Sequence, residues 1–329
     1  MRISILKKII ALFVGFITLG VNFFAGGYQP KEAGPILTFA AISDVHLTVD
    51  PLRADMLALG LADMESASHR LNALLFCGDN TDHGYRDQYN LLAQTLAKYS
   101  PADEIILAEG NHDTWTSSKD NDYAPAKALF LEYSKRISGR ELTEAYFTTE
   151  INGYTFIVMA SEYDHTDAYF SDAQLSWLDT ALSAAATDGK PVFVVSHWPL
   201  NGSHGLTKVW TLEETDPATG GMGDQSDAVE AILKKYKNVF LISGHLHNGF
   251  STETTKKLDP IFKYTDIEHD GSFHSVNLPS YMYPGTRGSG LNAQGYVFEV
   301  YADKVILRGR NFAAGAWLPT HSETIPLVK

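Results

Sequence analysis

Five short segments gather the residue types that hold metal ions. They are Asp44-Val45-His46, Gly78-Asp79-Asn80-Thr81-Asp82, Gly110-Asn111-His112-Asp113, Ser196-His197-Trp198 and Gly244-His245-Leu246-His247. Imidazole nitrogens mixed with carboxylate or amide oxygens, with no thiolate among them, suit borderline divalent ions such as Mn, Fe or Zn. Ca prefers an all-oxygen shell. In an extended backbone residues i and i+2 project to the same side, so His245 and His247 can converge on one point. Convergent imidazoles are a metal-site geometry, and a metal ion so held can lower the pKa of a bound water.

Each segment leaves an apolar, β-branched run. Strands are predicted at 36–43, 73–77, 105–108, 154–160, 192–196 and 239–243, and helices at 54–68, 88–99, 124–137, 172–184 and 227–236. Strands alternating with helices imply an α/β architecture whose central strands are covered on both faces. In open α/β sheets ligands bind at the carboxyl ends of the strands, where these five segments fall. Asn152-Gly153 is a type I′ turn signal joining 146–151 to 154–160, and Ala302-Asp303 joins 296–301 to 305–310, so the sheet is expected to be mixed. The stretch 216–227, with Gly220-Gly221-Met222-Gly223, reads as the most flexible internal loop.

The N-terminus reads differently. Arg2, Lys7 and Lys8 precede an uncharged run over 9–29, which matches the basic and apolar regions of a signal peptide over residues 1–27. Ala25 and Gly27 offer a small-x-small cleavage site, but 9–27 also approaches bilayer-spanning length, so a cleaved signal peptide and an uncleaved signal anchor are both open. Either places the protein outside the cell or on the outer face of its membrane. The remaining 28–329 reads as a single domain. It carries 23 Lys and Arg against 39 Asp and Glu, a net charge of −16 that argues against nonspecific nucleic-acid binding and against a nuclease. Cys77, the only cysteine, sits in an apolar run and reads as a buried core residue.

The ordered set D-x-H, G-D-x-x-D, G-N-H-D, H and G-H-x-H resembles the calcineurin-like metallophosphoesterase superfamily, from about Ile36 to Phe312. The resemblance implies two mixed β-sheets packed as a sandwich and flanked by helices, with two divalent metal ions at the strand ends. It implies that Asp44, His46, Asp79 and His247 bind one ion and Asp79, Asn111, His197 and His245 the other, with Asp79 bridging. Purple acid phosphatases carry Tyr at the position of Asp82. Ser/Thr protein phosphatases carry Arg and Glu at the positions of His83 and Asp113. The chain is therefore more similar to the bacterial phosphodiesterase branch.

The activity so implied is hydrolysis of a phosphodiester by metal-activated hydroxide, the alternatives being a phosphomonoesterase or an inactive binding module. In the family, His112 pairs with the Asp matching Asp82, which would keep the imidazole protonated as a general acid. The substrate is then a small-molecule, lipid or cell-envelope phosphoester. Asp113 and Asn80 are candidates to brace the ligands. Asn111, Arg287, Tyr281 and Tyr283 are candidates to line the substrate side. Trp198 and Trp210 could pack or touch substrate, packing being the commoner role. His69, His83, His165, His204, His269, His274 and His321 read as surface or locally hydrogen-bonded residues.

Overall fold

Two six-stranded sheets carry the chain, in a computed structural model describing residues 34–67, 70–119, 123–163, 167–205, 221–250, 264–282 and 293–329. In chain order the strands are β1 (Leu37–Ile42), β2 (Leu71–Cys77), β3 (Ala102–Ala108), β4 (Phe147–Ile151), β5 (Tyr154–Val158), β6 (Val192–Val195), β7 (Val239–Ser243), β8 (Ile267–Asp270), β9 (Phe273–Asn277), β10 (Gln294–Val300), β11 (Lys304–Asn311) and β12 (Ala316–Pro326). The helices are α1 (Pro51–Glu65), α2 (Arg86–Leu96), α3 (Tyr123–Ser138), α4 (Asp172–Ala185) and α5 (Ser226–Leu233). One sheet has the order β12-β11-β10-β1-β2-β3 and the other β4-β5-β6-β7-β9-β8.

Both sheets are mixed. β1, β2 and β3 run parallel while β10 joins β1 antiparallel, and β5, β6, β7 and β9 run parallel with hairpin partners β4 and β8 at the edges. Parallel strands need crossovers of a dozen residues or more, and the helices provide them. Asn152 and Gly153 take φ of 51° and 77°, the type I′ turn that the dipeptide signals.

The period-two alternation of each strand divides the core into layers. Leu37, Phe39 and Ala41 of β1 face the other sheet, whereas Ala40 and Ile42 face α1, α2 and α3. Leu75 and Cys77 of β2 likewise point inward, and Leu74 and Phe76 outward. The interior between the sheets centres on Phe39, stacked on Phe298 at 4.5 Å and edge-on to Phe156 and Phe193 at 5.1 and 4.9 Å. A third layer joins the second sheet to α4 and α5 through Leu178, Leu182, Val229 and Leu233. Strands buried on both faces explain why the sequence shows nearly continuous apolar runs there.

Local signals start the helices. Asp50 accepts a hydrogen bond from Leu52 N with Pro51 at the first helical position of α1, and Ser171 Oγ accepts from Gln174 N at the start of α4. No helix among the described residues is long and apolar enough to cross a membrane. The segment 1–33 lies outside the described residues, as do His69, His165, Trp210, Tyr283, Arg287 and the first part, 216–220, of the 216–227 loop.

Candidate metal centre

The strands that meet at the site end abruptly, and their first residues beyond the ladder adopt a conformation that side chains usually avoid. Among the described residues, nine non-glycines have φ in the left-handed region. Five of them are Asp44 (55°), His46 (43°), Asp79 (51°), His245 (71°) and His247 (50°). Such backbone persists only where its surroundings over-determine it, and it clusters at functional sites. Here the turns hold one another. Asp44 N and His46 N donate to the carbonyls of Gly78 and Asp79 at 3.2 and 2.8 Å, and Met282 N donates to Asp44 O at 3.2 Å. His245 and His247 are therefore not extended, and the two rings do not converge on one point. They enter two neighbouring groups instead.

Two glycines make the close approach possible. A Cβ on Gly110 would lie 2.2 Å from Asp79 N and 2.3 Å from Asp79 Oδ1, and one on Gly78 would lie 2.5 Å from His197 Nδ1. The bare backbone of β3's exit thus lets Asp79 sit between the ligands delivered by β1 and by β6 and β7.

The first group comprises Asp44, His46, Asp79 and His247, and the second Asp79, His197 and His245. Within each group the candidate ligand atoms lie within 4.8 Å of one another. His46 Nε2 is 3.0 Å from His247 Nε2 and 3.3 Å from Asp79 Oδ2, while His247 Nε2 is 3.2 Å from Asp44 Oδ1. His197 Nε2 is 3.2 Å from both Asp79 Oδ2 and His245 Nδ1. Asp79 Oδ2 is common to both groups. It is buried and, like the buried Asn111 Oδ1, lacks a hydrogen-bond partner among the described residues.

Outer contacts fix which nitrogen faces inward. His197 Nδ1 donates to Cys77 O at 2.8 Å, leaving Nε2 to present its lone pair beside Asp79 Oδ2. His46 Nδ1 lies 3.2 Å from Asp82 Oδ1, which favours its proton there and turns Nε2 toward His247. Lone pairs aimed at one another across about 3 Å repel unless a cation or proton lies between them. This donor set fits two divalent cations.

Electrostatics agree with that. Burial opposes ionisation of Asp44, yet the hydrogen bond and charge of His247 hold it at about 2. Asp79 is likewise held well below the usual carboxylate range, His197, His112 and His46 outweighing its burial. Burial pulls His197 and His247 down, but Asp79 and Asp44 raise each to about 9. His46 goes the other way, burial driving it to about 4. The fold therefore presents ionised carboxylates whose charge is offset by protons where metal ions would serve the same end.

Asp82 and His112 lie together with His46, their candidate ligand atoms within 4.8 Å of one another, but the hydrogen bond of His112 Nδ1 goes to the main chain of Asp82. The Asp82 carboxylate turns to His46, to Arg53 Nη1 at 3.4 Å and to His83 Nδ1 at 3.1 Å, whereas His112 Nδ1 donates to the Asp82 main-chain carbonyl at 2.7 Å. Asp82 thus orients His46, and the carbonyl fixes the tautomer of His112. The His112 ring lies 4.4 Å from that of His46, edge-on, and stacks on Trp115 at 4.6 Å. Its backbone N donates to Asp79 Oδ1 at 2.8 Å.

Asp113 braces the turns, as does Asn80. The buried Asp113 carboxylate accepts from Asn80 N and Nδ2, Thr81 N and Oγ1, and Gly110 N at 2.8–3.1 Å. Burial and the Asp79 charge push it to about 6. Tyr281, a candidate for the substrate side, is instead fully buried with the residues under α1, its hydroxyl donating to Met56 O. Trp198 is buried packing 5.4 Å from the His197 ring.

Three residues escaped the sequence reading. Arg53 of α1 donates through Nη1 to His46 O as well as to Asp82, clamping the β1 exit onto the β2 exit. Trp115 carried no signal beyond its nearness to Gly110-Asn111-His112-Asp113. Glu109 did carry one, being a charge inside an apolar run directly before that motif. It is buried, Tyr123 OH donates to both its oxygens at 2.7 and 2.8 Å, and burial raises it to about 8.

Comparison with known proteins agrees with this geometry. Residues 37–249 match the family model described as calcineurin-like phosphoesterase. A protein of Rhodococcus erythropolis named probable cyclic nucleotide phosphodiesterase is 26% identical over 224 residues, 65% of this chain and 65% of that protein. The fold is similar to a dimetal phosphatase from Danio rerio, with a TM-score of 0.57 and 16% identity over 89% of this chain and 100% of that one. It is also similar to a purple acid phosphatase from yellow lupin seeds, with a TM-score of 0.59 and 13% identity over 88% of this chain and 53% of that one. The chain belongs to the calcineurin-like phosphoesterase family.

Proposed function

We propose that the protein is a dinuclear-metal phosphodiesterase. The observation that carries this reading is the pair of buried imidazole–carboxylate groups sharing Asp79 Oδ2. Asp44, His46, Asp79 and His247 would hold one divalent ion, and Asp79, Asn111, His197 and His245 the other. When bound, two such ions supply Lewis acidity to a phosphoryl group and lower the pKa of water.

The chain's own residues do the rest. Asp82 and Arg53 hold His46 in orientation, Cys77 O holds His197, and Asp113 fixes the turns that carry Asp79 and Asn111. His112, with Nδ1 committed to Asp82 O, offers Nε2 to the leaving oxygen and delivers the proton it needs.

One observation favours a diester: the Rhodococcus relative is named a probable cyclic nucleotide phosphodiesterase. Export, directed by residues 1–27, is part of the same proposal, and N-terminal sequencing of the mature protein tests it.

The deciding assay compares bis(p-nitrophenyl) phosphate with p-nitrophenyl phosphate after reconstitution with Mn, Fe or Zn in turn. The proposal expects faster metal-dependent hydrolysis of the diester. Preference for the monoester would replace it with a phosphomonoesterase, and inactivity on both despite bound metal with a binding module.

A further inference from the structure

We infer that Tyr85 and His83 form a stacking platform for a flat aromatic substituent of the substrate, of nucleoside type, on a small phosphodiester rather than a polymer. This rests on the phosphoesterase reading above and assigns the class of group carried beside the phosphate.

The platform lies at the mouth of the metal centre. The rings of His83 and Tyr85 are stacked at 5.4 Å with planes 7° apart. His83 lies 6.5 Å from the His112 ring, edge-on, and His112 lies 4.4 Å from His46. The stacked pair thus stands about one ring beyond the proposed general acid, a separation of the order that one sugar bridges. Tyr85 is 47% exposed and the His83 side chain 42% exposed, in contrast to the buried ligands behind them.

The pair is held before any ligand arrives. Gln88 Oε1 accepts from His83 N and Tyr85 N at 2.9 and 3.4 Å, Gly84 N donates to Thr81 Oγ1 at 3.1 Å, and His83 Nδ1 lies 3.1 Å from Asp82 Oδ2. Gly84, at φ 67°, lets the turn press on the Asp113 carbonyl. A preformed aromatic surface gains affinity because little ordering is lost on binding. Every nucleobase has a π-face for such a surface. The net charge of −13 repels a polyanion, which leaves a mononucleotide-sized ester.

The test pairs a cyclic nucleotide with an aliphatic glycerophosphodiester, both assayed on the full metal-loaded chain and on Tyr85→Ala, Tyr85→Leu and Tyr85→Phe. The ratio of kcat/KM for the nucleotide over the aliphatic ester is expected to fall about fivefold or more in Tyr85→Ala and Tyr85→Leu, chiefly through KM, and to hold in Tyr85→Phe. A second arm uses metal-free protein and adenosine 5′-monophosphate in saturation-transfer NMR, with transfer to the adenine protons lost in Tyr85→Ala. An equal loss on both esters, or undiminished transfer in Tyr85→Ala, would overturn the platform. Wild-type inactivity on every ester would strike the phosphoesterase reading instead, with the NMR arm still deciding the platform.

Discussion

Replacing Asp82 separates two accounts of the site. If its carboxylate kept His112 protonated, Asp82→Asn would pull the alkaline limb of the pH–rate profile to lower pH and depress turnover at any metal concentration. In the structure the carboxylate serves His46 Nδ1 at 3.2 Å and Arg53 at 3.4 Å, while His112 is held by the Asp82 carbonyl, which substitution leaves in place. Loss of the partner behind a ligating histidine typically costs 10–100-fold in metal affinity, about 1.4–2.7 kcal/mol. Asp82→Ala is therefore expected to weaken the ion held by Asp44, His46 and His247 by that factor and to leave the ion held by His197 and His245 nearly unchanged. Calorimetric titration with Mn should show two classes of site in which only one moves. Turnover should recover at saturating metal with its pH dependence intact. Activity that stays lost at saturating metal, with the alkaline limb displaced to lower pH, would refute the reasoning.

His112→Ala should lower turnover about 10²- to 10⁴-fold with metal content retained, measured by elemental analysis beside the esterase assay. Gly110→Ala places a Cβ 2.2 Å from Asp79 N and should lower both Tm and metal stoichiometry, whereas Gly34→Ala, which meets nothing within 4 Å, should change neither. His197 and His247, each raised to about 9 in the metal-free protein, carry extra protons at pH 7 that metal must displace. Metal uptake should thus release about two protons at pH 7 and tighten as pH climbs toward 9, read by calorimetry in buffers of different ionisation enthalpy. By the same sign, stability that these protonated histidines give the metal-free fold is present at acid pH and is lost as pH rises through 9.

The strands that position the site were legible because β1, β2, β6 and β7 are buried and read as nearly unbroken apolar runs, as does the buried end of β3 at Ile106–Ala108. The edge strands β8 and β12 were not. Ile267–Asp270 is mostly polar, and Ala316–Pro326 carries Pro319, which falls in the irregularity opposite Arg308 and Gly309. Asp44, His46, Asp79, His197, His245 and His247 lie together because each motif sits one turn beyond a strand. What the spacing could not tell was direction within a turn. Asp82 presents its carboxylate to His46 and His83 and its carbonyl to His112, and left-handed backbone at His245 and His247 sends their rings to separate groups. Arg53 was invisible because it acts from a helix of the opposite charge preference, through a main-chain carbonyl. Tyr281 misled because a tyrosine fills a core as readily as it rims a site.

The most direct measurement is an anomalous-difference map from crystals of the full chain grown with Mn. The account predicts two peaks about 3.5–4 Å apart on either side of Asp79 Oδ2, one beside His46 and His247 and one beside His197 and His245. A single peak, or two peaks that do not share Asp79, would contradict it.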